Sequence, residues 1–190
     1  MLLSAALGIG LAAATGLRVF LPLLVAAVAA RADWIPLADS FAWLESTPAL
    51  ITLGTAAIFE TLAYYIPGLD HLLDLLAGPA AVAAGIVASA SVMADVPAAV
   101  MWPVAIIAGG GVAGVTKGGA ALVRAKSGVA TAGLANPVVS TAETIGAGAI
   151  SLMAIALPLL ALVLLAVLVG WIVSKAGKLL MRRRGGSSAL

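Results

Sequence analysis

The sequence predicts an all-α integral membrane protein of about six transmembrane helices, in which a 3+3 inverted repeat with broken helices is open. Two observations carry this. Hydrophobic residues make up 63% of the 190 residues and charged residues 9%, at a mean hydropathy of +1.20, far from soluble composition. The long runs are rich in Ala, Leu and Val and show no alternation of period two, which chooses helices over a barrel among the structures that satisfy their backbone in lipid.

The first run, Leu2–Ala30, has no positively charged start and is about twice as long as a signal-peptide core, so it is expected to stay as the first membrane helix. Pro48–Ile66, Leu75–Ala94 and Ala98–Thr116 each approach the roughly 20 residues that cross a hydrocarbon core of about 30 Å. The stretch from about Val129 to Ser174 is too long for one crossing, since its roughly 45 residues would reach well over 60 Å. Asn136-Pro137, Gly146, Gly148 and Pro158 offer breaks, and two spans near 134–149 and 150–174 are expected with almost no loop between them. The alternative is a re-entrant Val129–Pro137 segment followed by one tilted helix.

Charge placement favours two spans. Lys117, Arg124 and Lys126 follow the fourth run, and Lys175, Lys178, Arg182, Arg183 and Arg184 follow the last. Both groups are expected on the cytoplasmic side, which needs an even number of crossings between them. The acidic 31–47 connection (Asp33, Asp39, Glu45) and the Asp95 turn then lie outside, and both termini inside. Trp34, Trp43, Trp102 and Trp171 fall near span ends, as an aromatic belt requires. Residues 1–174 are thus expected as a single transmembrane domain, with possible repeat halves 1–94 and 98–174, followed by a basic cytoplasmic tail over 175–190 whose Arg182–Arg184 anchor anionic lipid rather than nucleic acid. The repeat rests on Phe59-Glu60-Thr61-Leu62-Ala63 against Ala142-Glu143-Thr144-Ile145-Gly146-Ala147, and on Thr15-Gly16-Leu17-Arg18 against Thr116-Lys117-Gly118-Gly119.

TGLRVFLPLL near the start, PGLDHLLDLLAGPAAVAAG in the middle and ANPVVSTAET towards the end resemble the bacterial membrane proteins of domain of unknown function 4126. The resemblance covers nearly the whole chain and implies an inner-membrane protein. It brings no activity, so function has to come from the residues.

Arg18 is the leading residue. A charge at mid-helix costs about 2.5–3.5 kcal/mol on insertion scales, so it should face a partner or a wet cavity. Gly16 and Pro22 bracket it and loosen the helix there. One reading is an anion or carboxylate site; the other is a packing pair with Glu60 or Glu143. Either acid, in apolar surroundings, suits proton-coupled transport, or else is neutralised by Arg18 or Lys117. Tyr64 shares the face of Glu60 at i+4 and can hydrogen-bond the carboxylate or a solute. Asn136-Pro137, with Ser140, Thr141 and Thr144, opens a helix whose N-terminus suits an anion if it points into the bundle, or whose hydroxyls simply bond their own backbone.

Asp70, His71 and Asp74 could converge as a weak metal site or relay protons to Glu60, but Pro67-Gly68-Leu69-Asp70 also reads as a turn with an Asp cap, and the cap is favoured. Gly110, Gly114 and Gly118, and the stripe Ala81, Gly85 and Ser89, suit close helix contact within the chain or with a neighbouring subunit. The chain has one His and no Cys, so no catalytic constellation emerges and no cofactor is expected. A small transporter or channel is expected, for an ion or small, possibly anionic, solute, with a polar site lined by Arg18, Glu60 and Glu143 and completed by Thr15, Tyr64 and Asn136. The rival class is a membrane scaffold, lipid-binding or assembly factor in which these charges only lock helices. Membrane lipids and a homo-oligomer are the expected partners, because short spans enclose little volume.

Overall fold

The computed structural model describes residues 1–66, 69–131, 134–164, 167 and 170, with backbone alone for 69–75. Every regular element among them is helical. The first apolar run is two helices, α1 (Leu2–Thr15) and α2 (Phe20–Arg31), joined by Gly16–Val19. They are antiparallel, and α4 (Leu69–Ser91) shows it. Met1 meets Asp95, Gly8 packs on Ser89, and Thr15 Oγ1 donates to the Ala81 carbonyl at 3.4 Å. In contrast, α2 starts beside Ala77, and beyond its end the Ala38 N–H donates to the Ser91 carbonyl at 2.8 Å.

Leu2–Ala30 is therefore a helical hairpin, which corrects the expectation of one crossing. Pro22 falls in the first turn of α2, where a missing N–H costs nothing, so it starts a new helix and does not merely kink an old one. The correction extends to topology. The amino terminus forms an ion pair with Asp95, although six crossings with a cytoplasmic N-terminus would separate them.

Ser46 caps α3 (Thr47–Ala63), accepting from Ala49 N–H at 3.3 Å, with Pro48 in the first turn. Arg31 ties the end of α2 to the start of α3 through the Glu45 carbonyl at 3.2 Å and Thr47 Oγ1 at 2.9 Å. The connection between them carries a 3-10 helix, Asp39–Glu45, whose Phe41 and Leu44 are buried while Trp34 and Trp43 stay exposed. α4 begins at Leu69, so Asp70 lies inside the helix and does not precede it as a cap. The side chains of Asp70, His71 and Asp74 lie outside the described residues, and with them the metal and relay readings.

After Pro97 the chain forms α5 (Ala98–Val104), a π-helical segment (Ala105–Gly110) and α6 (Gly111–Thr131), in all 34 helical residues. Lys117 and Arg124 thus sit in a helix, not in a linker after Thr116. Residues 117–131 contain no proline and many good helix formers, and Ala113, Lys117 and Arg124 form one buried face. α7 (Asn136–Ala156) runs through Gly146 and Gly148. The break expected near 149–150 falls at Leu157-Pro158, because proline drives its predecessor out of helical geometry, here to φ −141° and ψ 66°. A Cβ placed on Gly10 would lie 2.7 Å from Ala154 Cβ and 3.6 Å from Ala161 Cβ, so residues on both sides of this break pack against α1. Trp171 and the 175–190 tail lie outside the described residues.

Among the described helices, Ala98–Thr131 and Asn136–Ala156 are long and apolar enough to cross a membrane, while Leu2–Thr15, Phe20–Arg31 and Thr47–Ala63 are apolar but shorter. Apolar residues such as Leu11, Leu44 and Met93 fill the core, but α7 has the reverse of a water-soluble helix's distribution. In α7 the buried stripe is Ser140, Glu143, Ala147, Ser151 and Ala154, and Val138, Ile145 and Leu152 face outward. Small residues bring α1, α4 and the π-helical segment together. The Gly85 carbonyl lies 3.0 Å from where a Gly109 Cβ would stand, so the Ala81–Gly85–Ser89 stripe packs within its own chain.

Candidate functional site

Four elements converge at the hairpin tip. The α1–α2 turn contributes Arg18, α3 contributes Glu60 and then Tyr64 at its C-terminus, α6 contributes Lys117 and Arg124, and α7 contributes Ser140, Glu143 and Thr144. Gly16 lets the tip reach α6, where it faces Thr116 and Lys117.

Arg18 is 1% exposed and bound to α7: Nε donates to Thr144 Oγ1 at 2.9 Å, and Nη2 donates to the Ser140 carbonyl at 2.7 Å and to Ser140 Oγ. Its Nη2 stands 3.9 Å from Glu143 Oε2, while Arg124 pairs directly with that same oxygen. The guanidinium carbons of Arg18 and Arg124 lie over the Tyr64 ring, 4.3 and 4.2 Å from its centroid. Lys117 Nζ is 5.7 Å from the centroid and 3.4 Å from the hydroxyl. The two guanidiniums lie over the ring, where a desolvated cation is worth about 2 kcal/mol, while Lys117 meets its hydroxyl edge, so one tyrosine contacts all three cations.

Glu60 has a different task. Its carboxylate accepts from Val19 N–H at 2.8 Å and Phe20 N–H at 3.1 Å, satisfying two of the donors that open α2. Helix termination at the tip and the position of Glu60 are thus one event.

The structure brings Arg18, Glu143 and Tyr64 together, with Glu60 beside them and Arg124 added to them. The carboxylate of Glu143 goes first to Arg124, a residue that the charge pattern alone places with the cytoplasmic charges. Thr15 does not join the cluster; its hydroxyl donates to Ala12 and Ala81 carbonyls and ties α1 to α4. Asn136 opens α7 with its side-chain oxygen towards Gly128, a turn beyond Arg124 on α6. Ser140 and Thr144 do more than start a helix. The usable signal for Arg124 was its seven-residue spacing from Lys117, which puts both on the face of Ala113.

The family model described as Domain of unknown function (DUF4126) matches residues 5–177. The chain belongs to that family. No curated protein and no solved structure matches it. The DUF4126 match encloses Arg18, Glu60, Tyr64, Lys117, Arg124 and Glu143, so the whole cluster lies within the family domain.

Arg18→Leu should cost about 2 kcal/mol, the scale of losing hydrogen bonds from a charged group. Thermal unfolding in detergent reads it. An unchanged midpoint would mean that the tip is held without its bonds to α7.

Proposed function

We propose that this chain is a multi-pass protein of the bacterial inner membrane and a small transporter or channel for an anionic solute. Support for the membrane reading comes from the many large apolar side chains exposed on the outer faces of the helices and from charges gathered inside the bundle. At 1.5 Å per residue, α1 and α2 reach only about 21 and 18 Å, so the hairpin enters the hydrocarbon region and returns. Irregular backbone at that depth is tolerated where protein covers it, as at the tip.

One observation carries the anion reading: three cationic heads converge on the Tyr64 ring within 4.2–5.7 Å. Like charges held this close in low dielectric need an anion among them. Glu143 stands among them, paired with Arg124 and 3.9 Å from Arg18, and a solute anion sharing that position gives a binding site with internal competition. The scaffold reading has its own support, since the Arg124–Glu143 pair and the Arg18 bonds tie α6, α7 and the hairpin together.

Flux decides between the two. Purified protein in liposomes, under imposed acetate, nitrate or chloride gradients, should pass anions, and Lys117→Met should cut the flux at least tenfold while unfolding within a few degrees of the wild type. No wild-type flux under any of these gradients would leave the scaffold reading in its place.

A further inference from the structure

The start of α2, the C-terminal half of α3, and α4 at Leu76, Ala77 and Ala80 enclose a cavity of about 370 Å³, at the small end of the range for small-molecule sites. Phe59 and Leu76 in its walls are also exposed on the outer surface, so the cavity adjoins the apolar exterior of the bundle. Glu60 supplies the one carboxylate among the described residues of the wall, and apart from it and Tyr64 the wall is apolar.

That carboxylate satisfies the α2 N-terminus without itself being saturated. Oε1 accepts from Val19 N–H at 2.8 Å and Oε2 from Phe20 N–H at 3.1 Å, and no other donor reaches either oxygen among the described residues. A carboxylate offers about four lone-pair positions, so roughly half of its accepting capacity is open. At a wet surface water would fill it. On the membrane reading the neighbouring medium is hydrocarbon, which has no donor to give, so a donor has to arrive on a molecule that dissolves there.

The flanking groups decide the charge of that molecule's head. An anionic head would face the Glu60 carboxylate. A cationic head would share the Tyr64 wall with two guanidiniums, those of Arg18 and Arg124, which lie 4.3 and 4.2 Å from the ring centroid. Like charges repel strongly at such range in low dielectric, and a neutral donor meets neither repulsion.

We infer that this cavity binds a neutral, single-chain alcohol that partitions into the bilayer, its hydroxyl donating to Glu60 and its tail lying along Phe59 and Leu76. The ligand adds a third hydrogen bond to the carboxylate and leaves the bonds to Val19 and Phe20 in place. The inference rests on the membrane half of the proposed reading and not on transport, so a protein that passes no anions can still show it.

The test uses a diazirine-bearing octanol, photolysed with the protein in lipid nanodiscs, and peptide mass spectrometry reads the labelled positions. Labelling should saturate and concentrate around Phe59 and Leu76. Octanol should displace it at a concentration at least tenfold below that needed of methyl octyl ether, octanoate or octylammonium. An ether that matches octanol would remove the hydroxyl from recognition, and an ion that matches it would remove the charge argument. Labelling that does not saturate and spreads over all outer faces would be bilayer partitioning; any of these overturns the inference. Dioctanoylglycerol, whose hydroxyl carries two chains, should also compete at least tenfold less well than octanol, and equal competition would give the site to a membrane lipid and overturn the single-chain assignment. Ala80 is an exposed wall residue with no part in the Glu60 bonds. Ala80→Trp should therefore block the cavity and abolish the saturable label while unfolding within a few degrees of the wild type; a label that survives would place the ligand elsewhere and overturn the assignment. Glu60→Ala should erase the advantage of octanol over the ether, and if that variant does not fold, the ether comparison on the wild type makes the same test.

Discussion

Glu143→Leu should destabilise the protein by about 3–5 kcal/mol, the range for removing one partner from a buried charge pair. The cause is what remains. Arg124 loses the carboxylate it contacts directly, Arg18 loses the same group at 3.9 Å, and both guanidiniums still face the Tyr64 ring. Arg124→Met should cost less, because Glu143 keeps Arg18 within reach and a small shift brings them together. The double variant should then recover part of the Glu143→Leu loss, since an apolar replacement of a whole buried pair is often neutral, with a coupling of about 0.5–3 kcal/mol. Chemical denaturation of the four proteins in one detergent measures it. Strict additivity would show that the pair does not act as a unit.

Gly16→Ala should cost about 3 kcal/mol, at the upper end of the usual overpacking penalty. A methyl there would lie 2.5 Å from Thr116 Cβ, 2.6 Å from the Ala113 carbonyl and 2.9 Å from the Lys117 amide nitrogen. Two of these atoms are backbone of α6, so no rotamer change relieves the contact and the helix itself has to move. That movement shifts Lys117 and Arg124 together, so the variant should also lose anion flux. Gly54→Ala, at an open position in α3, should leave the unfolding midpoint within a degree or two. Equal effects at the two sites would mean that the tip does not pack on α6.

Much of the charged site was legible in the chain. Arg18, Glu60 and Glu143 stood out because ionised groups are costly in apolar runs and rarely stay there without a partner, and that argument needs no coordinates. Their order of pairing was not legible. Arg124 lies between Val123 and Ala125 in a stretch that reads equally well as a basic connection or as a helix with one polar face, and only the neighbours decide which. The hairpin was missed for a related reason. Leu2–Ala30 has the length and composition of one crossing, and a proline at position 22 marks either a kink or a first turn.

By itself the sequence determined the helical class, the family and the presence of buried ions, because these follow from composition, from local backbone preference and from motifs contained in single segments. Tertiary structure decided that the first run folds back at Gly16–Val19, that Glu60 closes the new helix end, and that Arg124 takes the Glu143 carboxylate. Each of these rests on contacts between residues 19 or more positions apart, where competing partners have the same local chemistry and only the packing of small-residue faces selects one of them.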